Sequence, residues 1–353
     1  MRIGIVTQPL EMNYGGIIQN WALQQALKQL GHDPVTLDAF QKFSTPHYVF
    51  NCCRTLLRRA CGKKASFPQR YHGALRWRLT GEFIEEHIAT TRVMWDYERS
   101  AVKRYGLEGI VVGSDQVWRA AYNGTHIADM FLKFAQGLPL RRVAYAASFG
   151  VDNWEYTPEQ ESQCVPLARQ FDAISVRESS GVALCRDHLG MEAQHVLDPT
   201  MLLTAGDYGP IIDPDWDCSE PYLAVYCLDV TDAKRAFFNQ LAADRGLKVR
   251  YFSAGWGGRL TVGQWLAMIS NAAMVVTDSF HGTVFSILFH TPFVSLVNEK
   301  RGASRFNALL SCLDLQERTS QACANVAIDW VGVDTKLSQL RRESLGFLQE
   351  NLK

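Results

Sequence analysis

The sequence RIGIVTQPLEMNYGGIIQNWALQQALKQLGHDPVTLDAF, residues 2–40, holds one complete structural unit. Its first apolar run predicts a buried strand, and a glycine turn then leads into a segment with apolar residues at helical spacing. Gly31 predicts the end of that helix, and a second strand follows it. A strand, a helix and a strand in this order predict a parallel sheet within an α/β fold.

Four further apolar runs in the first half end in small or polar residues, which is typical of strands in such a sheet. They are EGIVVGSDQVW (108–118), RRVAYAASFG (141–150), FDAISVRESS (171–180) and AQHVLDPTMLL (193–203). The N-terminal half is therefore predicted to be an open, doubly wound sheet.

A linker is predicted at AGDYGPIIDPDWDCSEP, residues 205–221, because glycine, proline and aspartate are concentrated there. The strand and helix pattern then restarts. Its predicted strands are YLAVYCLD (222–229), KVRYFSAG (248–255), AMVVTDS (273–279) and PFVSLV (292–297). We predict two Rossmann-like domains, residues 1–205 and residues 206–353 with a C-terminal helix, facing a cleft that binds ligands at the carboxyl ends of the strands.

Composition narrows the class of protein. The chain of 353 residues is longer than a single hydrophobic core normally supports, which favours two domains. Its 47% apolar and 20% charged residues are ordinary for a globular protein. Acidic and basic residues balance at 36 each, so no overall field attracts nucleic acid. The basic stretch at 54–78 is most simply a solvated helix and loop, with contact to phosphates or lipid headgroups as the alternative.

Cysteine usage and hydropathy indicate the compartment. The nine cysteines form no C-x-x-C pair and have no neighbouring histidine at ligand spacing, which suits a reducing environment and predicts no metal site. The N-terminal apolar run is too short for a signal sequence, and no segment reaches the ~18 apolar residues of a spanning helix. A cytoplasmic protein is therefore predicted.

The stretch VVTDSFHGTVFSILF, residues 275–289, runs from a predicted strand directly into a helix. Ser279, His281 and Gly282 would lie at the helix N-terminus, where free N–H groups favour an anion. An imidazole there can exchange a proton near neutral pH. The alternative is that Asp278 and Ser279 only cap the helix and His281 packs.

The first glycine turn is a second candidate anion site. Gly15 and Gly16 allow the backbone to approach a ligand closely, while Asn13, Tyr14 and Gln19 supply polar groups. Neither a dinucleotide fingerprint nor a Walker motif is present. A purely structural turn is the alternative.

Other candidate residues follow predicted strands of the first domain. Ser114, Asp115 and Ser148 stand at strand ends, with helix capping as the alternative for Asp115. Arg177 can grip a carboxylate or phosphate through two parallel hydrogen bonds, and a buried pair with Glu178 or Asp198 is its alternative.

Two arginines in the segment after the last strand, Arg301 and Arg305, are candidates to close over a phosphate. The alternative is that both are solvated in that loop.

Together these motifs resemble the polysaccharide pyruvyl transferase family. The shared features, in order, are N-Y-G-G, V-G-S-D, Y-A-A-S-F-G, V-R-E, D-P-T, T-D-S-F-H-G and a terminal R-x-x-x-R, and they span residues 1–318. The resemblance implies a fold like that of two-Rossmann-domain glycosyltransferases. It also implies transfer of a pyruvyl group from phosphoenolpyruvate to sugar hydroxyls, usually as a ketal on cell-surface polysaccharide precursors such as those of exopolysaccharide or capsule, with no cofactor.

By position, the resemblance marks Asp115, Arg177 and His281 as catalytic candidates. Some members carry arginine where this chain has Ser279, so Arg301 or Arg305 would replace that contact. The resemblance further implies an acceptor side in the first domain, a donor side in the second, and a membrane-attached acceptor reached at the cytoplasmic face through residues 54–78.

Two alternatives to this function remain open. A nucleotide-sugar glycosyltransferase would share the fold, although no pair of glutamates for a ribose and no acidic metal motif is evident. A non-catalytic carbohydrate-binding protein would use exposed tryptophans for stacking, but tryptophans are more often core residues.

Overall fold

A computed structural model describes the chain except for residues 41–44, 63–77, 253–259 and 298–301. The described residues form two parallel sheets with helices packed around them. The predicted α/β fold of two doubly wound, Rossmann-like domains is confirmed.

The strands are short, and most of their residues are buried, as expected for parallel sheets covered on both faces. In chain order they are β1 (Arg2–Val6), β2 (Asp33–Thr36), β3 (Ala39–Phe40), β4 (Met94–Trp95), β5 (Gly109–Val112), β6 (Arg141–Ala147), β7 (Ala173–Val176), β8 (Gln194–His195), β9 (Tyr222–Tyr226), β10 (Lys248–Tyr251), β11 (Met274–Thr277) and β12 (Phe293–Ser295).

The α-helices alternate with these strands along most of the chain. They are α1 (Tyr14–Gln29), α2 (Thr45–Ala60), α3 (Arg78–His87), α4 (Arg99–Arg104), α5 (Ala120–Asn123), α6 (Pro158–Ala168), α7 (Ser179–Leu184), α8 (Ala205–Tyr208), α9 (Asp232–Asp244), α10 (Val262–Ser270), α11 (Phe280–Leu288), α12 (Ala303–Cys312) and α13 (Trp330–Asn351).

The first sheet has the strand order β2-β1-β5-β6-β7-β8, and the second has the order β10-β9-β11-β12. Neighbouring strands are parallel throughout; Ile3 of β1, for example, lies opposite Gly109 of β5. A small parallel pair, β3 and β4, lies outside both sheets. The carboxyl ends of the strands in each sheet therefore meet at one edge, where the connecting loops can form a site.

Helix α1 is buried on nearly all sides because it lies between the first sheet and the second domain. Leu23 packs in the core of the first sheet, whereas Ile18 and Trp21 belong to a core shared with the second domain. The buried amide of Gln24 donates to Thr36 at 2.9 Å. Pairing of such buried polar groups removes most of the cost of desolvating them.

The two domains share one hydrophobic core. Tyr14 at the start of α1 stacks on Trp265 of α10 with ring centroids 5.7 Å apart, and its hydroxyl donates to the Leu260 carbonyl at 2.7 Å. Nearby, Trp21 of α1 packs against Tyr208 with ring centroids 5.4 Å apart. Aromatic burial of this kind favours a fixed position of one domain relative to the other.

Helix α13 contacts both domains. Leu337 lies in the shared core, whereas Phe347 packs near Tyr145 of the first sheet, with ring centroids 6.3 Å apart. The backbone N–H of Leu197 donates to the Ser344 hydroxyl at 3.0 Å. The predicted division between residues 205 and 206 assigns this helix to the second domain. In the structure it packs against both domains. The position of the boundary stays a prediction.

Within the part of the chain that the structure describes, no helix combines the length and the apolar character needed to cross a bilayer.

Candidate active site

A cavity of about 670 Å³ lies between the two domains. Loops after β1 and β5 form one wall, and the ends of β9 and β11 with α12 form the other. This is the position at which parallel sheets bind ligands. The cavity is lined by Gln8, Pro9, Glu11, Met12, Asn13, Asp115, Gln116, Ala121, Tyr122, Tyr226, Leu228, Asp278, Ser279, Phe280, His281, Arg305 and Phe306.

The turn between β11 and α11 places His281 at the cavity. Ser279 is the N-cap of α11, and its hydroxyl accepts a hydrogen bond from the backbone N–H of Gly282 at 3.4 Å. A Cβ atom on Gly282 would lie 2.3 Å from the Thr277 hydroxyl, so only glycine lets the helix start this close to the strand. Ser279 therefore both caps the helix and lines the cavity, whereas Gly282 has a packing role.

The first turn of α1 packs against the His281 ring. A Cβ atom on Gly15 would lie 2.0 Å from Nδ1 of His281, far inside van der Waals contact. The N-Y-G-G turn and the S-F-H-G turn, 266 residues apart at Gly15 and His281, thus meet across the domain interface. The sequence predicts two separate anion sites, and in the structure the two turns that would form them are in contact.

The His281 imidazole is buried but reaches the cavity. Its side chain is 7% exposed, and its Nε2 atom lies 3.8 Å from Oδ2 of Asp198 without a hydrogen-bond partner. Burial lowers the pKa of His281, although the nearby carboxylates of Asp198 and Asp115 oppose the shift. The imidazole is therefore neutral at neutral pH, and added negative charge in the cavity would favour its protonation.

Asp198 is the centre of a buried polar cluster behind His281. Its side chain accepts hydrogen bonds from Arg177 at 2.7 Å, from the Thr200 hydroxyl at 2.7 Å and from the Ser114 hydroxyl at 3.3 Å. Burial would raise the pKa of Asp198, but the charge of Arg177 and the hydrogen bonds from Thr200 and Arg177 outweigh it, and His281 adds to this effect in its protonated form, so the pKa lies below its ordinary value. Asp198 is thus a fixed negative charge beside the imidazole.

Arg177 does not line the cavity. Its side chain is 1% exposed, with one guanidinium nitrogen on Asp198 and another 3.5 Å from Asp115. The centroid of the Phe280 ring, which itself lines the cavity, lies 4.9 Å from the guanidinium carbon. The predicted direct grip on an anion is therefore not the arrangement in the structure. The alternative was a buried ion pair of Arg177 with Glu178 or Asp198, and the structure shows the pair with Asp198.

Asp115 lies at the cavity with its backbone in the left-handed region, at φ 66°. One carboxylate oxygen accepts the backbone N–H of Gln116 at 2.8 Å. The other would be 3.4 Å from a Cβ atom on Gly16, so the first turn of α1 also packs against this carboxylate. Asp115 does not cap the following helix, because the N-cap of α5 is Arg119.

Arg305 of α12 brings a positive charge to the cavity. Among the described residues that line it, Arg305 is the one arginine or lysine. Burial and the nearby Arg177 lower the pKa of Arg305 to about 10, so it keeps its charge at neutral pH. The other predicted cation of this segment, Arg301, lies outside the described residues.

The remaining predicted site residues divide into two groups. Asn13 lines the cavity at the N-cap of α1. Tyr14 is held by the domain contact, and the amide oxygen of buried Gln19 accepts from the backbone N–H of Ser114 at 3.2 Å. Buried Ser148 donates to a glutamate carboxylate at 3.1 Å. These last four residues support the site and do not line it.

Several cavity residues were not among the predicted site residues, and Asp278 was named only for its place in the turn before α11 and as a possible helix cap. Asp278 is 2% exposed and accepts the backbone N–H groups of Leu228 at 2.6 Å and Asp229 at 3.1 Å, together with the Lys234 ammonium at 2.8 Å. It thereby fixes the loop that follows β9. Gln8, Glu11, Tyr122 and Tyr226 add amide, carboxyl and phenol groups. For Gln8 and Tyr226, the position near a strand end was a sequence feature that could have indicated the cavity.

Among the described residues there is no group of three or more histidine, cysteine, aspartate or glutamate side chains placed to hold a metal ion.

Comparison with known families identifies the chain. The model of the polysaccharide pyruvyl transferase family matches residues 13–300, which include both the glycine turn and the His281 turn. The chain belongs to this family. A search of curated proteins finds no match.

Several solved structures of sugar-nucleotide enzymes and glycosyltransferases are similar in fold. MnaA of S. aureus, solved with UDP, is 11% identical with a TM-score of 0.49 and covers 96% of this chain and 91% of its own. The glycosyltransferase SsfS6 of Streptomyces is 14% identical with a TM-score of 0.42, covering 98% and 96%. The spinosyn rhamnosyltransferase SpnG, solved with its aglycone, is 11% identical with a TM-score of 0.44, covering 100% of both chains.

Proposed function

We propose that this polysaccharide pyruvyl transferase family member moves a pyruvyl group from phosphoenolpyruvate to two hydroxyl groups of a saccharide, forming a cyclic ketal. The observation that carries the proposal is the meeting of His281, Arg305 and Asp115 around one interdomain cavity. An acid, a fixed cation and a carboxylate are the groups that this reaction requires. Residues of this chain supply each of them, and the proposal needs no cofactor.

The donor would lie against Arg305 and the start of α11. Phosphoenolpyruvate carries a carboxylate and a phosphate, and an arginine fork binds either through parallel hydrogen bonds. The unpaired N–H groups of the helix N-terminus add partial positive charge. In this proposal Arg177 holds Asp198 and Asp115 in place and does not touch the donor.

His281 would be the acid. Protonation of the donor's methylene carbon converts it into a methyl group and leaves an oxocarbenium centre at carbon two. Arg305 and the helix N-terminus stabilise the charges that develop, because they are already oriented at the cavity before the reaction begins. Asp198 stabilises the protonated imidazole before it gives up its proton.

Asp115 would activate the acceptor. It receives the proton of one sugar hydroxyl, whose oxygen forms a bond to carbon two. The carbon–oxygen bond to phosphate then breaks, and a second hydroxyl closes the ketal. Of the two hydroxyl protons released, one replaces the proton used at the methylene carbon and the other leaves with the phosphate, so the reaction balances.

The acceptor would be a polysaccharide or glycolipid precursor. The polar groups of Gln8, Asn13, Glu11 and Tyr122 line the first-domain wall of the cavity and suit sugar hydroxyls. Because the donor is a metabolite of the cell interior, we place the reaction in the cytoplasm, at the inner face of the membrane when the acceptor is lipid-linked.

Release of inorganic phosphate from phosphoenolpyruvate tests this function. We expect release only in the presence of a saccharide, in a panel of galactose, mannose and N-acetylhexosamine acceptors carried on simple glycosides. Calorimetric binding of UDP in the cavity without binding of phosphoenolpyruvate would favour a nucleotide-sugar glycosyltransferase. Sugar binding without phosphate release would favour a non-catalytic carbohydrate-binding protein.

Donor binding should take up a proton. In the free protein burial holds the pKa of His281 below its ordinary value, so the ring is neutral at pH about 7. The negative charge of phosphoenolpyruvate raises that pKa and draws a proton from solution. Titration calorimetry in buffers of different ionisation enthalpy should show uptake approaching one proton. The variant H281Q should lose it, and equal enthalpies in all buffers with the unmodified protein would contradict the assignment.

Replacing Gly15 with alanine should displace the imidazole. The new Cβ atom would overlap the His281 ring at 2.0 Å, so the ring or the first turn of α1 must move. Because a displacement of about 1 Å costs ~100-fold in rate, we expect phosphate release to fall by about that factor. Gly209→Ala is the matched control, since nothing lies within 4 Å of its Cβ position. Equal activities of the two variants would show that the contact is unimportant.

A further inference from the structure

Helix α2 exposes an apolar surface. Among its residues 48–60 only Thr55 is buried, whereas Phe50 is 65% and Leu57 68% exposed. Val49 and Leu56 are each more than half exposed. At 100° per residue these four side chains fall within an arc of about 120° on one side of the helix. Residues of a soluble surface helix normally show the reverse pattern, with the apolar arc turned toward the core.

Arginines border this apolar arc on both sides. By helical position Arg54 and Arg58 follow it on one side and Arg59 on the other, and all three are exposed. A helix with an apolar face flanked by basic side chains is the form that lies in the interface of a bilayer.

All of the Asp, Glu, Lys and Arg positions in and around α2 are lysine or arginine. Residues 39–81 contain no aspartate or glutamate, although the whole chain has 36 acidic and 36 basic residues. The same stretch contains nine lysines and arginines: Lys42, Arg54, Arg58, Arg59, Lys63, Lys64, Arg70, Arg76 and Arg78. A neutral protein has thus concentrated positive charge in the segment that carries the apolar arc.

We propose that α2 docks the protein on an anionic lipid bilayer, with Val49, Phe50, Leu56 and Leu57 in the headgroup region. Charge complementarity selects this occupant. A second copy of the chain would bring arginines against arginines, and a nucleic acid would leave the apolar arc without a partner. The side chains would enter one leaflet without crossing the membrane. This proposal is independent of the reaction at the cavity.

Flotation of the full-length protein with lipid vesicles tests the proposal. We expect binding to vesicles of equimolar phosphatidylcholine and phosphatidylglycerol, weakening as salt rises, and at least about tenfold weaker binding to phosphatidylcholine alone. The double variant F50S/L57S should bind anionic vesicles at least about tenfold more weakly, because it loses the buried apolar contacts. R54Q/R58Q should lose about fivefold per arginine and most of the salt dependence.

The controls separate docking from other effects. Val331, at the start of α13, is 78% exposed, so V331S removes an equally exposed apolar side chain elsewhere and should bind as the unmodified protein does. Phosphate release with a lipid-free acceptor should be unchanged in F50S/L57S, so failure of the docking proposal and failure of the reaction give different results.

Several outcomes would overturn the proposal. Absence of vesicle binding, or equal binding by F50S/L57S and V331S, would exclude α2 as the docking element. Tighter binding to a duplex DNA probe than to anionic vesicles, unaffected by F50S/L57S, would indicate a nucleic-acid surface. A dimer in sedimentation that F50S/L57S dissociates, together with no vesicle binding, would show that a second copy covers the arc.

Discussion

Replacing His281 with glutamine should lower the turnover number for phosphate release by about 10³-fold, as expected when a general acid is lost. Glutamine fills a similar volume but cannot deliver a proton to carbon. The free-protein imidazole is neutral and its Nε2 atom has no hydrogen-bond partner, so little stability depends on it. We therefore expect a melting temperature within a few degrees of the unmodified protein, and binding of phosphoenolpyruvate weakened by far less than turnover.

His290→Gln is the control for this variant. His290 is 44% exposed at its side chain and pairs with Asp334 outside the cavity, so its loss should leave turnover unchanged. Turnover of H281Q within about tenfold of the unmodified value would remove His281 as the acid. A large fall in the melting temperature of H281Q would instead assign the residue a packing role.

Replacing Arg305 with glutamine should lower kcat/KM for phosphoenolpyruvate by about 10³-fold. Arg305 is the cation among the described cavity residues, and it keeps its charge with a pKa of about 10. Its removal leaves the donor's carboxylate or phosphate facing Asp115 without compensation. Lysine at this position keeps the charge but loses the two-pronged hydrogen bonds. The kcat/KM of R305K should therefore lie between those of the unmodified protein and R305Q.

Arg104→Gln controls for the loss of one arginine. Arg104 is 39% exposed at its side chain and pairs with Glu98 on the surface, so this variant should retain normal kinetics. Unchanged binding of phosphoenolpyruvate by R305Q in calorimetry would contradict the donor site proposed here. Equal loss in R305Q and R305K would show that the hydrogen-bond geometry matters more than the charge.

The architecture was predictable because periodicity and glycine placement are local signals. The unit at residues 2–40 predicts β1, α1 and β2, and all three are present. Only the end of α2, from residue 54, was predicted to be helical. The apolar residues of this helix do not face a core, so its hydrophobic pattern does not relate it to the rest of the fold. The contact of α13 with both domains depends on tertiary packing that a local pattern does not record.

The candidate site was predictable only in part, for a similar reason. His281, Ser279, Asp115 and Asn13 follow strand ends and do line the cavity. Ser114, chosen by the same rule, and Gln19, chosen as a polar group of the glycine turn, are fully buried and hydrogen-bonded to each other. Strand-end position shows that a residue is near the site but not which way its side chain points.

The buried cluster around Asp198 shows the same limit. The D-P-T sequence marked a strand end, and pairing of Asp198 with Arg177 was one of two alternatives considered. Its approach to His281, 83 residues further along the chain, depends on how the domains meet. That contact is a property of the assembled fold.

The central claim is that a proton is delivered to the methylene carbon of phosphoenolpyruvate in the interdomain cavity. The most direct test is to run the reaction in deuterium oxide with an acceptor from the panel and to examine the product by NMR and mass spectrometry. The account predicts an acceptor that has gained one pyruvate less one water, with one deuterium in the new methyl group. A sugar product without that methyl group, or phosphate release without a ketal, would contradict it.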